Sequence, residues 1–116
     1  MNLSWVAIYD KGGNDERLHF RATANVDLSH YAVFDTVSLT PETIRPYQRT
    51  CFWFVSKKIK AGDNVVLYTR AVSPSTETRL DGSLYHFLFR GLSAPLYTAP
   101  NTRAVLFELN TWSSRG

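Results

Sequence analysis

Residues 59–69, IKAGDNVVLYT, decide the fold class, because a tight turn leads directly into a strand there. Gly62 adopts a positive φ at no steric cost, and Asp63 and Asn64 are common turn residues. The run that follows, residues 65–69, is mostly β-branched or aromatic, which favours a strand over a helix. Comparable apolar runs come before and after it in the chain. We therefore predict that residues 65–69 form a central strand of a sheet.

Six further strands are predicted on either side of this one, at residues 3–9, 16–23, 31–37, 49–55, 84–89 and 104–109. The clearest alternation lies in residues 16–23. There we expect Leu18, Phe20 and Ala22 to face inward, and Arg17, His19, Arg21 and Thr23 to face outward. In the first strand Trp5, Ala7 and Tyr9 are expected on one face, with Val6 and Ile8 on the other. In the last strand Val105, Phe107 and Leu109 share a face.

The segments between these strands have the composition of turns and loops. Residues 10–15, 73–78 and 81–82 are rich in Gly, Pro, Ser, Asn and Asp, which favour turns. Thr40 and Pro41 have the order of a helix cap and first helical residue, so at most one short helical turn is expected near residues 40–45. Pro46 prevents a longer helix.

Short strands that are separated by turn signals, without a long helical pattern, predict an all-β protein. We expect a single immunoglobulin-like β-sandwich of about seven to nine short strands, because turn signals recur every 8 to 12 residues. The domain is expected to cover residues 1–112, and residues 113–116 to form a frayed tail.

Three stretches resemble the lamin tail domain family. They are residues 5–20, where WVAI is followed by a polar loop and LHF; residues 26–35, VDLSHYAVFD; and the opening stretch, residues 59–69. Their order and spacing resemble the first strands, a later turn and the central strand of that family. The resemblance implies an immunoglobulin-like sandwich that serves as an interaction module, and it supplies no catalytic residue.

Composition sets the broad class. The chain has 116 residues, 44% hydrophobic and 20% charged, which is sufficient for one globular domain with its own core. The single cysteine, Cys51, excludes an intrachain disulfide and is expected to be a small buried residue. Residues 1–5 lack the features of a signal peptide, and no apolar run reaches the roughly 20 residues of a membrane span. We therefore expect a cytoplasmic or particle-associated protein.

The sequence carries no spacing typical of a catalytic or metal site. His19, His30 and His86 lie in three separate segments, without a paired ligand motif. The acidic loop with Asp10, Asn14, Asp15 and Glu16 does not have the order of a calcium loop, so a polar turn is favoured over a calcium site. No nucleophile-elbow signature is present. The sequence therefore predicts no enzyme, no cofactor, no metal and no small-molecule substrate.

Aromatic side chains predict a contact surface. The run at residues 52–54 places aromatic rings on both faces of one strand, so at least one ring must lie outside the core or be covered by another segment or subunit. The candidate interaction surface consists of Phe52, Trp53, Phe54, Tyr47 and Trp112. The resulting functional prediction is a non-catalytic module that works through protein–protein contacts and self-association.

Basic side chains carry an alternative prediction. The net charge is +3, which permits binding to a phosphate backbone without requiring it. The candidate basic surface consists of Arg17, His19, Arg21, Lys57, Lys58 and Lys60. The alternative function is a nucleic-acid-associated protein that uses this surface. Ordinary solubilising charge and protection of a strand edge by lysines explain the same residues and are favoured over a nucleic-acid surface.

Overall fold

The computed structural model of the chain describes residues 1–40, 43–44, 50–71, 77–80 and 82–116. Within these ranges every regular element is a β-strand, apart from one 3-10 helix. The strands are β1 (Leu3–Tyr9), β2 (Arg17–Ala22), β3 (Val26–Asp27), β4 (Tyr31–Thr40), β5 (Thr43–Ile44), β6 (Thr50–Trp53), β7 (Lys58–Ile59), β8 (Asn64–Tyr68), β9 (Glu77–Leu80), β10 (Ser83–Phe89) and β11 (Thr102–Glu108). The all-β prediction is confirmed, and the strands outnumber the seven to nine expected.

The opening stretch forms the turn and central strand that its sequence predicts. β8 is the middle strand of a five-stranded sheet with the order β1-β2-β8-β10-β9. Gly62 has φ +91°, and its amide donates to the Ala22 carbonyl at 2.8 Å. The Ala22 amide in turn donates to the Asp63 carbonyl at 3.0 Å, so the turn is joined to the end of β2.

β8 and β10 run parallel, whereas the other strand pairs of this sheet are antiparallel. The parallel pair arises because β9 and β10 form a hairpin in which β10 returns beside β8 and β9 takes the sheet edge. Residues 73–78 were expected to be a loop. Their last two residues instead begin β9, and residues 73–76 lie outside the described ranges.

The second sheet is built on β4. Its order is β11-β4-β5, and β6 also pairs with β4. β3 and β7 form a separate two-stranded ribbon, joined by pairing of Val26 with Ile59 and of Asp27 with Lys58. The inward residues of both larger sheets contribute to one hydrophobic core: Leu3, Leu18, Phe20, Val65 and Leu67 come from the first sheet, and Tyr31, Val33 and Leu106 from the second. This shared core positions two outer faces, one on each sheet.

The predicted alternation of β2 is confirmed for its inward residues. Leu18, Phe20 and Ala22 are all buried. The predicted faces of β1 are wrong, because the pairing register shifts between Trp5 and Ala7. A β-bulge of this kind inserts an extra residue and reverses the faces beyond it. Trp5 therefore pairs with inward Phe20, whereas Tyr9 pairs with outward Arg17.

The short helical turn that the sequence allows near residues 40–45 is not seen in the described part of that segment. Thr40 ends β4 and Thr43 begins β5, so the described residues near 40–45 are extended, and Pro41 lies outside the described ranges. The helical element is instead a 3-10 helix at Leu28–His30. Asp27 caps it, because its side chain accepts a hydrogen bond from the Ser29 amide at 2.9 Å.

Candidate functional site

One buried carboxylate holds the acidic loop after β1 against neighbouring segments through hydrogen bonds. Glu16 is only 1% exposed, and both of its oxygens accept two hydrogen bonds. Oε2 accepts from the amides of Gly12 (2.8 Å) and Tyr97 (3.0 Å). Oε1 accepts from the Thr69 hydroxyl (2.7 Å) and the Leu96 amide (2.9 Å). The carboxylate thus joins the 10–16 loop, the end of β8 and the crossover before β11.

Glu16 was missed as a structural residue, although the sequence contains a signal for it. It has the same alternation phase as Leu18, Phe20 and Ala22, so its side chain points inward. The other acidic residues of the loop also have local partners. Asp10 accepts a hydrogen bond from the Asp15 amide at 2.8 Å, and Asp15 forms an ion pair with Arg70 at 3.0 Å. The described residues contain no group of three or more His, Cys, Asp and Glu side chains placed to hold a metal.

Two of the three histidines are buried, and each is hydrogen-bonded to another side chain. His19 is 8% exposed, and its Nε2 is 2.8 Å from Asn64 Oδ1, so the expectation that its imidazole is solvated is wrong. It lies on the outer side of β2, but the rings of Tyr9 and Tyr85 flank it. His86 lies 2.9 Å from Asp63 Oδ2 in the opening turn. Both contacts tie neighbouring segments together.

A polar cluster links the two sheets at one end. Asp35 in β4 accepts hydrogen bonds from the amide and the hydroxyl of Thr50 in β6. Arg90, which follows β10 in the other sheet, donates to the Thr50 hydroxyl at 3.0 Å. Burial raises the pKa of the neighbouring Tyr97 phenol well above its usual range. The hydrogen bond from Arg90 to Thr50 therefore joins the two sheets at this end of the core.

The candidate aromatic surface is divided by the structure. Phe54 is 2% exposed and belongs to the core, and Phe52 is packed against it, so neither ring forms a surface. Tyr47 lies outside the described residues. Trp53 and Trp112 are 46% and 51% exposed, and their rings meet edge to face with centroids 5.2 Å apart. Trp53 is also held by a hydrogen bond from its Nε1 to the Ser29 carbonyl at 2.7 Å.

Strand register extends this pair into an apolar surface. Trp53 pairs with Ala32 in β4, and Ala32 pairs with Phe107 in β11, so the three form one row across three strands. The neighbouring row consists of Cys51, Phe34 and Val105. We call these six residues together with Trp112 the tryptophan face. Phe107 is 41% exposed, and no residue of the tryptophan face carries a formal charge.

Two sequence expectations bear on this face. Cys51 was expected to be buried, but it is exposed on the outer side of β6. Partial desolvation raises the pKa of its thiol, with the charge of Arg90 acting in the opposite direction. Val105 and Phe107 share a face as predicted. That face is the outer one, because the core residue of β11 is Leu106.

The candidate basic residues lie on different elements. Arg17 and Arg21 lie on the outer side of β2, with Arg21 exposed and Arg17 half-buried. Lys58 lies in β7 of the small ribbon, opposite Asp27, and Lys57 and Lys60 flank that strand. His19 has little exposure, as described above. The structure therefore does not assemble the predicted set on one sheet face.

A different set of residues surrounds Arg17. Tyr9, Arg17, Tyr68 and Phe89 are direct register partners across β1, β2, β8 and β10. We call these four residues together with Arg70 the arginine–tyrosine row. The Arg17 guanidinium lies 5.0 Å from the Tyr9 ring centroid and 5.7 Å from that of Tyr68. Arg70 lies 4.5 Å from the Tyr68 ring and 5.6 Å from that of Phe89.

The rings of this row are arranged as a stack. Tyr68 and Phe89 have centroids 5.1 Å apart and an interplanar angle of 10°. Phe87, one row further along β10, lies 6.3 Å from Tyr68 and stacks with Tyr85. Guanidinium groups and aromatic rings therefore lie side by side along the outer face of the five-stranded sheet. Sequence reasoning missed this set, because it depends on the pairing of four strands.

No protein-family model, no curated protein and no solved structure matches this chain. In the part of the chain that the structure describes, no helix has the length and apolar character that crossing a membrane requires.

Proposed function

We propose that this chain is a non-catalytic interaction module, an immunoglobulin-like sandwich of the lamin tail type, which associates with a second copy of itself through the tryptophan face. The sandwich is supported by two mainly antiparallel sheets that share one core. The lamin tail assignment is supported by the order of the three resembling stretches, including the central turn and strand at residues 59–69.

The observation that carries the self-association is the row of Trp53, Ala32 and Phe107. The two large rings are more than two-fifths exposed, and the small Ala32 between them is 2% exposed. The row therefore presents two exposed aromatic rings on either side of a small, covered alanine. Aromatic side chains of this kind are typical anchors of protein interfaces.

The absence of charge on this face favours a second copy as the partner. A partner recognised by charge complementarity requires charged groups on the patch, and the seven residues of the tryptophan face have none. A twofold interface places the same patch on both subunits, so an uncharged apolar patch is complementary to itself. The exposed rings of Trp53 and Phe107 in one copy then pack against the same rings of the other.

The non-catalytic character rests on the sequence, which lacks catalytic spacing, and on the histidines. The imidazoles of His19 and His86 are engaged with Asn64 and Asp63. Both residues are buried within the sheet, so their hydrogen bonds serve the fold.

Light scattering coupled to size exclusion, over a range of protein concentrations, tests the self-association. We expect a concentration-dependent dimer in the wild-type chain and a shift to monomer in Phe107→Ser. Tyr9→Ser is the matched control, because Tyr9 is also 41% exposed but lies on the other sheet. A monomer at every concentration, or an equal loss of dimer in both variants, would contradict the proposal.

A further inference from the structure

The arginine–tyrosine row has no role in the self-association proposed above, because it lies on the opposite sheet. The outer face of a sheet on a two-layer protein is ordinarily polar. Here four strands instead contribute Tyr9, Arg17, Tyr68 and Phe89 in one continuous row. Since neighbouring strands lie about 4.8 Å apart, the row is roughly 14 Å long.

The chemistry of the row combines planar groups with positive charge. Arg17 and Arg70 lie over the aromatic rings, with Arg17 bridging Tyr9 and Tyr68. Arg21 adds a further cation on the same face of β2. Asp10 and Asp15 are the exposed carboxylates of the loop at this end, and Asp15 is ion-paired with Arg70 at 3.0 Å. The three arginines outnumber these two carboxylates, so the face carries net positive charge.

We propose that the arginine–tyrosine row binds single-stranded nucleic acid. Unpaired bases stack on aromatic rings and guanidinium planes, and the phosphates between them pair with arginine. A row of roughly 14 Å offers stacking positions for two or three bases. The inference stands independently of the self-association, because the two surfaces share no residue.

The arrangement favours a single strand over a duplex. The bases of a duplex are stacked on one another, so the flat rings of Tyr9, Tyr68 and Phe89 have no base plane to contact. A duplex contacts the arginines alone, so only the arginine–phosphate contacts contribute to its binding free energy. A preference for single strands is therefore the signature of the ring contacts.

The arrangement also favours nucleic acid over an acidic peptide. A peptide carboxylate pairs with an arginine but uses no aromatic plane next to it. In this row each arginine is placed within 6 Å of two rings, so planar and charged groups are presented together. That combination matches a base followed by a phosphate.

Fluorescence anisotropy with a labelled oligothymidylate of about ten nucleotides tests the proposal. We expect binding at low salt that weakens steeply as the salt concentration rises from about 50 to about 200 mM. A labelled duplex of the same length is expected to bind at least about tenfold more weakly, since it loses the stacking contribution.

Substitutions in the arginine–tyrosine row test whether the oligothymidylate binds there. Tyr9→Leu is expected to weaken binding about tenfold through lost stacking, without changing the salt dependence. Arg17→Gln is expected to weaken binding through the loss of about one phosphate contact. The slope of the logarithm of affinity against the logarithm of salt concentration should become shallower by about one. Trp5→Leu is the control for the ring, because Trp5 is equally exposed on β1 but lies on its other face. Arg103→Gln is the control for the charge, since Arg103 is an exposed arginine of the second sheet.

Three results would overturn the proposal. They are the absence of oligothymidylate binding at low salt, equal binding of the single strand and the duplex, and equal loss of binding in the row variants and their controls. In the last case the binding is general attraction to a basic protein. Failure here leaves the dimer measurement untouched, because that measurement depends on the other sheet.

Discussion

Glu16 accepts a hydrogen bond from the amide of Tyr97, although 81 positions separate the two residues in the chain. The same carboxylate accepts from Thr69, 53 positions away, and from two further amides. A charged residue with 1% exposure is stable in the interior only when its oxygens are satisfied, and all four acceptor positions are used here. Glu16 therefore holds the loop at the end of the arginine–tyrosine row.

Glu16→Gln should destabilise the fold. The amide nitrogen of glutamine replaces one oxygen and then faces at least one backbone amide that is itself a donor, so at least one hydrogen bond is lost and two donors oppose each other in a buried site. We expect the free energy of unfolding to fall by about 3 kcal/mol, measured by urea denaturation. Asp15→Asn, on the exposed part of the same loop, should change it by less than about 0.5 kcal/mol. Similar losses in the two variants would contradict this role.

Asp27 should make the stability depend on pH at the acid end. Its carboxylate accepts hydrogen bonds from the Ser29 amide and the Ser56 hydroxyl, which lower its pKa from 3.8 to about 2. A lowered folded-state pKa stabilises the fold above pH 3.8, and this contribution is lost as the pH falls towards 2.

Asp27→Ala should therefore cost about 1 kcal/mol at neutral pH through loss of the cap. The difference in unfolding free energy between the wild type and this variant should shrink as the pH falls from about 4 to about 2. Denaturant titrations at several pH values measure it. A constant difference over that range would contradict the assignment of the low pKa to these hydrogen bonds.

Asp15→Asn should tighten oligothymidylate binding. The substitution removes the carboxylate that is ion-paired with Arg70, so the face loses one negative charge and attracts the phosphates more strongly. We expect an increase in affinity of a few fold at low salt, which diminishes as salt screens the charge. Glu108→Gln, which removes an exposed carboxylate on the second sheet, is the control. Unchanged or weaker binding in Asp15→Asn would count against the row.

The strands whose sequence shows a clear local pattern could be predicted. The alternation in β2 and the β-branched run of β8 identify their strands, because burial of one sheet face leaves a period of two in the sequence. The β-bulge between Trp5 and Ala7 leaves no such trace, so the faces of β1 could not be assigned. β9 was hidden by the loop-like composition of residues 73–78.

The sequence predicted single exposed side chains of the two surfaces, but not which of them lie next to one another. The sequence shows that one ring of residues 52–54 must lie outside the core, and Trp53 is that ring. The contact of Trp53 with Trp112 and the register of Tyr9, Arg17, Tyr68 and Phe89 depend on pairing between distant segments. Pairings of this kind follow from the packed core, and no local pattern encodes them.

The central claim, that the tryptophan face joins two copies of the chain, is tested most directly at Cys51. This residue is exposed on that face and is the only cysteine in the chain, so a thiol reagent modifies it alone. We expect the rate of its alkylation by a maleimide to fall as the wild-type protein concentration rises, because association covers the thiol. In Phe107→Ser the rate should stay constant over the same concentrations. An alkylation rate in the wild-type chain that does not depend on protein concentration would contradict the claim.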